Sequence, residues 1–241
     1  MSDIYDWAQS LARPVIAGFA AYSARGASTQ ALHLDANESP WSPPPAGPSV
    51  KDYNRYPAQQ PAGLMARLAG LYEVDQSQIM LGRGADEAID VLLRTFCEPG
   101  QDRILICPPT FGYFSVAAQI QGADIVSVPL QDDFSWDEPS IHKALQDNDV
   151  KMVMLCSPNN PTGNSVDREF VLRLCNDNPN TLVVVDEAYI EFSSEESFSN
   201  EINSYKNLIV TRTLSKAYGL AGVRAGVAIA RAEIILSLIH I

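Results

Sequence analysis

Leu208-Ile209-Val210-Thr211-Arg212-Thr213-Leu214-Ser215-Lys216-Ala217-Tyr218-Gly219 stands near the end of the 241-residue chain. Its apolar start, Leu208-Ile209-Val210, reads as a buried strand. The next residues change character at once: two threonines, a serine and one lysine, with small residues around them. Arg224 follows at eight positions from Lys216, again between small residues. In open α/β sheets ligands bind beyond the carboxyl ends of the strands. A strand ending in such a motif therefore predicts an α/β fold, provided that other strands end the same way.

Four others do. Strands are predicted at 79–81, 103–107, 125–128, 151–156, 181–185, 208–210 and 225–230. Helices are predicted at 62–72, 88–96, 111–121, 138–146 and 167–175. Alternating apolar strands and helices imply an α/β domain around a mainly parallel sheet buried on both faces. Gly82-Arg83-Gly84-Ala85-Asp86 follows the first strand and Pro108-Pro109-Thr110-Phe111-Gly112 the second. Ser157-Pro158-Asn159-Asn160-Pro161-Thr162-Gly163 and Asp186-Glu187-Ala188-Tyr189 follow two more.

Composition narrows the function classes. With 17 Lys and Arg against 29 Asp and Glu, the net charge is -12. A chain this acidic, without a basic run, is poorly suited to nucleic acid or to an anionic membrane. Cys97, Cys107, Cys156 and Cys175 form no C-x-x-C pair and sit in apolar surroundings, so they read as buried thiols and not as a zinc site. The start of the chain, Met1-Ser2-Asp3-Ile4-Tyr5-Asp6, has acids where a secretory leader has basic residues. No apolar run approaches the length of a membrane span. A cytoplasmic location is expected.

A lysine among small residues can be approached by a bulky ligand, and hydroxyls with a guanidinium suit a phosphate. Lys216 with Thr213, Ser215 and Arg224 thus suggests a lysine that condenses with a phosphorylated aldehyde, pyridoxal phosphate. An isolated Ser-Lys pair is more ordinarily an exposed lysine after a strand. Asp186, at the end of an apolar strand, would be penalised as a lone carboxylate. A protonated pyridine nitrogen would relieve it; a helix cap or structural ion pair is the plainer alternative. Gly82-x-Gly84 opening a helix offers backbone N–H groups to an anion. Glu87 stands where a dinucleotide fingerprint needs a third glycine. Tyr189 and Asn160 can point at the same ring, or serve packing and turn chemistry. Phe111 can stack on a planar ring or belong to the core.

Together Asn160-Pro161-Thr162-Gly163, Asp186-Glu187-Ala188-Tyr189, Ser215-Lys216 and Arg224 resemble the aspartate-aminotransferase superfamily, fold type I of the pyridoxal-phosphate enzymes. Within it the chain is most similar to the histidinol-phosphate aminotransferase family. Leu34-Asp35-Ala36-Asn37-Glu38-Ser39-Pro40, Asn54-Arg55-Tyr56-Pro57, Cys107 to Gly112 and Val185 to Phe192 carry that finer resemblance. It implies a three-layer αβα large domain and transamination between L-histidinol phosphate and 2-oxoglutarate, that is, a small-molecule amino donor and a 2-oxo acid. Lys216 is then the catalytic lysine and Asp186 the partner of the pyridine nitrogen. Asn160 and Tyr189 bind the ring's phenolic oxygen, and Phe111 stacks on the ring. Ala85, Asp86, Thr213, Ser215 and Arg224 form the phosphate cup. Tyr56 reaches the cofactor of a second subunit, implying a homodimer, and Asn37 lies near the substrate.

The resemblance also divides the chain. Residues 1–52, crowded by Pro40, Pro43, Pro44, Pro45 and Pro48, read as an arm and a portion of the small domain, with a short helix at 6–12. Residues 53–241 read as the large cofactor-binding domain. The carboxy-terminal small domain of the family is expected to be missing, and Leu236 to Ile241 do not resemble its start. An aromatic aminotransferase, a threonine-phosphate decarboxylase or an inactive truncated fragment are the alternatives.

Overall fold

The computed structural model describes residues 60–239. Its strands are β1 (Ile79–Gly82), β2 (Arg103–Ile106), β3 (Asp124–Ser127), β4 (Val150–Cys156), β5 (Leu182–Asp186), β6 (Leu208–Thr213) and β7 (Gly226–Ile229). Its helices are α1 (Ala62–Leu71), α2 (Ala85–Phe96), α3 (Tyr113–Gln121), α4 (Glu138–Asp147), α5 (Arg168–Asp177) and α6 (Ala232–Ile239). All seven strands form one sheet in the order β1-β7-β6-β5-β4-β2-β3. Pairing is parallel from β6 across to β3, whereas β7 runs antiparallel to both β1 and β6.

Alternation along each strand builds two cores. Val183 and Val185 of β5, with Leu208 and Val210 of β6, face one layer, which includes Met65 and Leu68 of α1, Ile141 of α4 and Phe170 of α5. Val184, Ile209, Met152 and Met154 face the other, which includes Ile89 and Leu92 of α2, Phe114 of α3 and Ile235 of α6. A sheet apolar on both faces must be covered on both, which gives three layers. At β4 the register against β2 shifts between Arg103 and Ile104, so Val150 and Val153 reach the same core. All four cysteines are free and buried. Burial pushes the thiols of Cys97, Cys107 and Cys175 up to about 12, in keeping with packing and not with reactivity.

Most boundaries differ from the sequence-based expectation by a residue or two, and three larger differences have a local reason. Helix α2 begins at Ala85, not at residue 88, because Gly84 caps it with φ of 89°, a conformation that only glycine adopts freely. The Glu87 carboxylate then accepts from the backbone N–H of Arg83 at 2.6 Å. Helix α3 begins at Tyr113, not at residue 111, and stops as expected at Gly122, which is left-handed with φ of 85°. Strand β6 continues past Val210 to Thr213, because Arg212 and Thr213 still pair with β7. The helix expected at 6–12 and the boundary at 52/53 lie outside the described residues.

Gly226 holds the site edge together. It pairs with Gly82 on one side and Thr213 on the other. A Cβ there would meet the carbonyl carbon of Gly84 at 2.3 Å and the nitrogen of Ala85 at 2.4 Å. Those neighbours are backbone and cannot swing away. Gly226→Ala is therefore expected to destabilise the chain by about 2–4 kcal/mol, the scale of backbone overpacking. A thermal melt checks this, and a midpoint equal to wild type would contradict it.

Candidate active site

The motifs that follow the parallel strands meet at one edge of the sheet. Register shows how: Cys156 stands opposite Asp186, Asp186 opposite Thr211, and Thr213 opposite Gly226. Because β7 is antiparallel, it brings Arg224 and Ala225 to this edge from its amino end. Asp186, Thr211 and Thr213 share the strand face that looks toward α2, by the parity that places Val184 and Ile209 in that core.

Asp186 is 2% exposed. Its Oδ1 accepts from the Thr211 hydroxyl at 2.8 Å. Burial is the main influence on its carboxyl and pushes it up to about 6; the Thr211 and Ala188 donors and the Lys216 charge oppose that, while Asp86 reinforces it. The ammonium of Lys216 lies 5.6 Å from the centre of the Tyr189 ring. The Tyr189 hydroxyl accepts from Nδ2 of Asn160 at 3.4 Å. Contacts thus link Lys216 to Tyr189 and Tyr189 to Asn160, and the Lys216 charge acts on Asp186 at the same sheet edge.

A second group lies where α2 begins. Ala85 and Asp86 occupy its first turn, where backbone N–H groups have no helical acceptor. The guanidinium of Arg224 donates to Asp86 Oδ2 at 3.0 Å and to the Arg83 carbonyl at 3.4 Å. It crosses so close to Gly84 that a Cβ there would meet Nη2 at 2.8 Å. Arg224 is left-handed, with φ of 55°, unusual for a residue with a side chain. The Thr213 hydroxyl donates to Ser215 Oγ at 3.0 Å and accepts from the Ser215 backbone N–H at 3.1 Å. Two hydroxyls, helix-end N–H groups and a guanidinium are donors that could together cradle an anion.

Phe111 is placed less directly. Its ring meets Phe114 edge-on at 5.6 Å and Tyr113 at 6.1 Å. Its loop is tied to the Asn160 turn, since Thr110 donates to Asn159 at 2.8 Å and Asn159 to the Pro109 carbonyl at 2.9 Å. Tyr56 and Asn37 lie outside the described residues. Thr211 and Gly226 also stand at this edge; the sequence shows Thr211 as one of two threonines in the motif but not that it meets Asp186, and it gives no signal for Gly226. Their signal is the sheet register, which pairs a threonine with Asp186 and a glycine with two site strands. Among the described residues no three His, Cys, Asp or Glu side chains are grouped to hold a metal ion. No helix among them is long and apolar enough to cross a membrane.

The buried carboxyl yields a pH prediction for the cofactor-free chain. Its folded state holds the Asp186 proton more tightly than the unfolded chain, whose ordinary value is 3.8 against about 6 when folded. The cost of burying the charge is absent below pH ~4, grows between about 4 and 6, and is complete above that, at roughly 2–3 kcal/mol. Asp186→Asn should raise the melting temperature by about 4–8 °C at pH 8 and leave it unchanged near pH 4. Melts at the two pH values check this, and equal shifts at both would contradict it.

Comparison with known proteins agrees with this fold. A model of the family "Aminotransferase class I and II" matches residues 34–241. The histidinol-phosphate aminotransferase of Flavobacterium johnsoniae is 44% identical over 215 residues, covering 88% of this chain and 58% of that protein. The structure of the Sinorhizobium meliloti enzyme of that name, solved in complex with pyridoxal-5'-phosphate, superposes with a TM-score of 0.77 at 27% identity, covering 86% of this chain and 58% of the other. L-threonine-O-3-phosphate decarboxylase from Porphyromonas gingivalis superposes with a TM-score of 0.66 at 29% identity, covering 77% and 56%. The chain thus spans somewhat over half the length of these relatives. The three-layer fold with its mostly parallel sheet is fold type I. With the family match extending over most of its length, the chain belongs to the class I and II aminotransferases.

Proposed function

We propose that this site binds pyridoxal 5'-phosphate and serves transamination between L-histidinol phosphate and 2-oxoglutarate, a step of histidine biosynthesis. The observation that carries the reading is the buried Asp186 carboxyl. It lies at the same sheet edge as Lys216 and the anion cradle, with a hydroxyl as its donor and no ion pair among the described residues. A carboxylate held so far out of water suits a ligand that brings its own cation, and a protonated pyridine nitrogen is one. The cradle suits a phosphate: Thr213, Ser215, Arg224 and the first N–H groups of α2 supply donors, and the missing side chains of Gly84 and Gly226 let Arg224 and the start of α2 pack against one another at this edge. Relatives of the same family named histidinol-phosphate aminotransferase support the substrate assignment.

When bound, the cofactor supplies an aldehyde that condenses with amines and a ring that draws electrons from the neighbouring carbon. The chain's own residues do the rest. Asp186 keeps a proton on the ring nitrogen. Asn160 and Tyr189 hold a ring oxygen. Thr213, Ser215 and Arg224 anchor the phosphate, which fixes the ring relative to Lys216. The Lys216 amine is the nucleophile and, when free, carries a proton at Nζ as general base.

Residues 53–241 form the cofactor-binding domain in this reading, and Asn37 contacts the substrate. Tyr56 serves a second subunit of a homodimer, a state general in the family. A biosynthetic role fits a cytoplasmic enzyme. A threonine-phosphate decarboxylase is the second reading, favoured by the structural likeness to such an enzyme.

The test is spectroscopic and kinetic. Adding pyridoxal phosphate to the chain should produce a visible absorbance band. Borohydride should then fix the cofactor on the peptide containing Lys216. Lys216→Ala should lose the band and turnover by at least ~10³-fold while keeping weak cofactor binding through the cradle. Turnover of histidinol phosphate with 2-oxoglutarate is the expected activity. Full activity in Lys216→Ala would end the assignment, and carbon dioxide release from threonine phosphate would favour the second reading.

A further inference from the structure

Behind the site lies a buried charge cluster that none of these roles uses. Arg212 sits between Thr211 and Thr213 on β6 but points to the opposite face, toward the core containing Tyr72. Its side chain is 8% exposed and that of Glu187 is fully buried. One arm of the guanidinium donates to Glu187 Oε2 at 3.3 Å and to Ser197 Oγ at 3.2 Å. The other donates to Glu191 Oε1 at 2.7 Å. The flat face lies over the Tyr72 ring at 4.7 Å. Glu187 also accepts from the Ser197 hydroxyl at 2.5 Å and from the Phe198 N–H at 2.6 Å.

The two carboxylates bracket the segment that serves the site. Glu187 follows Asp186 directly, and its backbone N–H donates to the Thr211 carbonyl at 2.9 Å. Glu191 lies in the short 3-10 turn Ile190–Phe192, immediately after Tyr189. One guanidinium therefore grips the segment on both sides of Tyr189. Its own strand supplies the hydroxyl that meets Asp186. A lysine ammonium is a point donor and cannot span two carboxylates in this forked way. The pairs are expensive to bury and are weak evidence for stability alone; a role in fixing geometry accounts for them better.

We propose that Arg212 is a positioning residue for the site: by clamping Glu187 and Glu191 from behind the sheet, it aims the Asp186 carboxyl and the Tyr189 hydroxyl at the same bound ring. The proposal rests on the cofactor reading above.

Arg212→Lys and Glu191→Gln test it, with Ile141→Val, on α4 of the same core layer but outside the Arg212 cluster, as a control for lost stability. Three quantities are measured on the 241-residue chain: pyridoxal phosphate affinity, the pH midpoint of the visible band, and hydrogen exchange over residues 187–192 without cofactor. Arg212→Lys should weaken affinity about tenfold and Glu191→Gln a few fold, the scale of a small misplacement of binding groups. Both should shift the pH midpoint by about half a unit, because Tyr189 no longer meets the ring correctly. Both should speed exchange over 187–192. Ile141→Val should lower the melting temperature and leave all three unchanged.

Affinity and pH midpoint equal to wild type in Glu191→Gln overturn the proposal, whether or not Arg212→Lys folds. So do changes no larger than those in the control at a matched loss of melting temperature. A wild-type chain without a visible band overturns the cofactor reading instead; exchange then decides the clamp, and exchange equal to wild type in the variants overturns it too.

Discussion

Asp186 is taken out of water at the end of a central strand, with the Thr211 hydroxyl as a donor to its carboxylate and no ion pair among the described residues. Everything at the site edge is arranged around that placement. Burial of its charge costs roughly 2–3 kcal/mol above pH ~6, about the gain from burying one large apolar side chain. A core layered on both faces of the sheet can carry that cost. Phe114, Phe170, Ile89, Leu92 and Ile141 are among many side chains with essentially no exposure. The core holds a carboxylate that has no ion pair among the described residues, at the edge where a ligand's cation can meet it.

The pleat separates recognition from support. Along β6, Thr211 and Thr213 face the site while Arg212 faces the opposite core. Along β5, Asp186 faces the site while Val185 packs behind it. A one-residue slip of either strand would exchange the two sets, bringing Arg212 into the site and Asp186 into apolar surroundings. Register is pinned by apolar residues on both faces of four central strands, so the site inherits its accuracy from the core. The antiparallel β7 adds what parallel strands cannot: it delivers Arg224 to the edge and, through Gly226, lets the sheet touch the first turn of α2. The left-handed backbone of Arg224 is accepted there because the guanidinium is held by Asp86 and the Arg83 carbonyl.

Much of this is legible in the sequence because the signals are local. Short apolar runs mark strands of four to seven residues. Motifs at their carboxyl ends mark the edge where ligands bind in such sheets, and Lys216, Asp186, Asn160 and Tyr189 all stand at that edge. Local signals fail where the determinant is a neighbouring strand. Thr211 reads as one of two motif threonines and shows its own partner only opposite Asp186. Arg212 looks like part of a polar motif after a strand, although it lies within one and is buried. Gly226 looks like any small residue until β1 and β6 flank it. The early start of α2 at Ala85 depends on the positive φ of Gly84, which the Gly82-x-Gly84 pattern permits without requiring.

The central claim is that Asp186 awaits the cationic nitrogen of a ring held at the site. Calorimetric titration with pyridoxal phosphate at pH ~8, in buffers of different ionisation enthalpy, measures the protons taken up on binding. If Asp186 holds a proton on the ring nitrogen, the wild-type chain takes up about one more proton per bound cofactor than Asp186→Asn does at saturation. Equal proton uptake by the two chains would contradict the account.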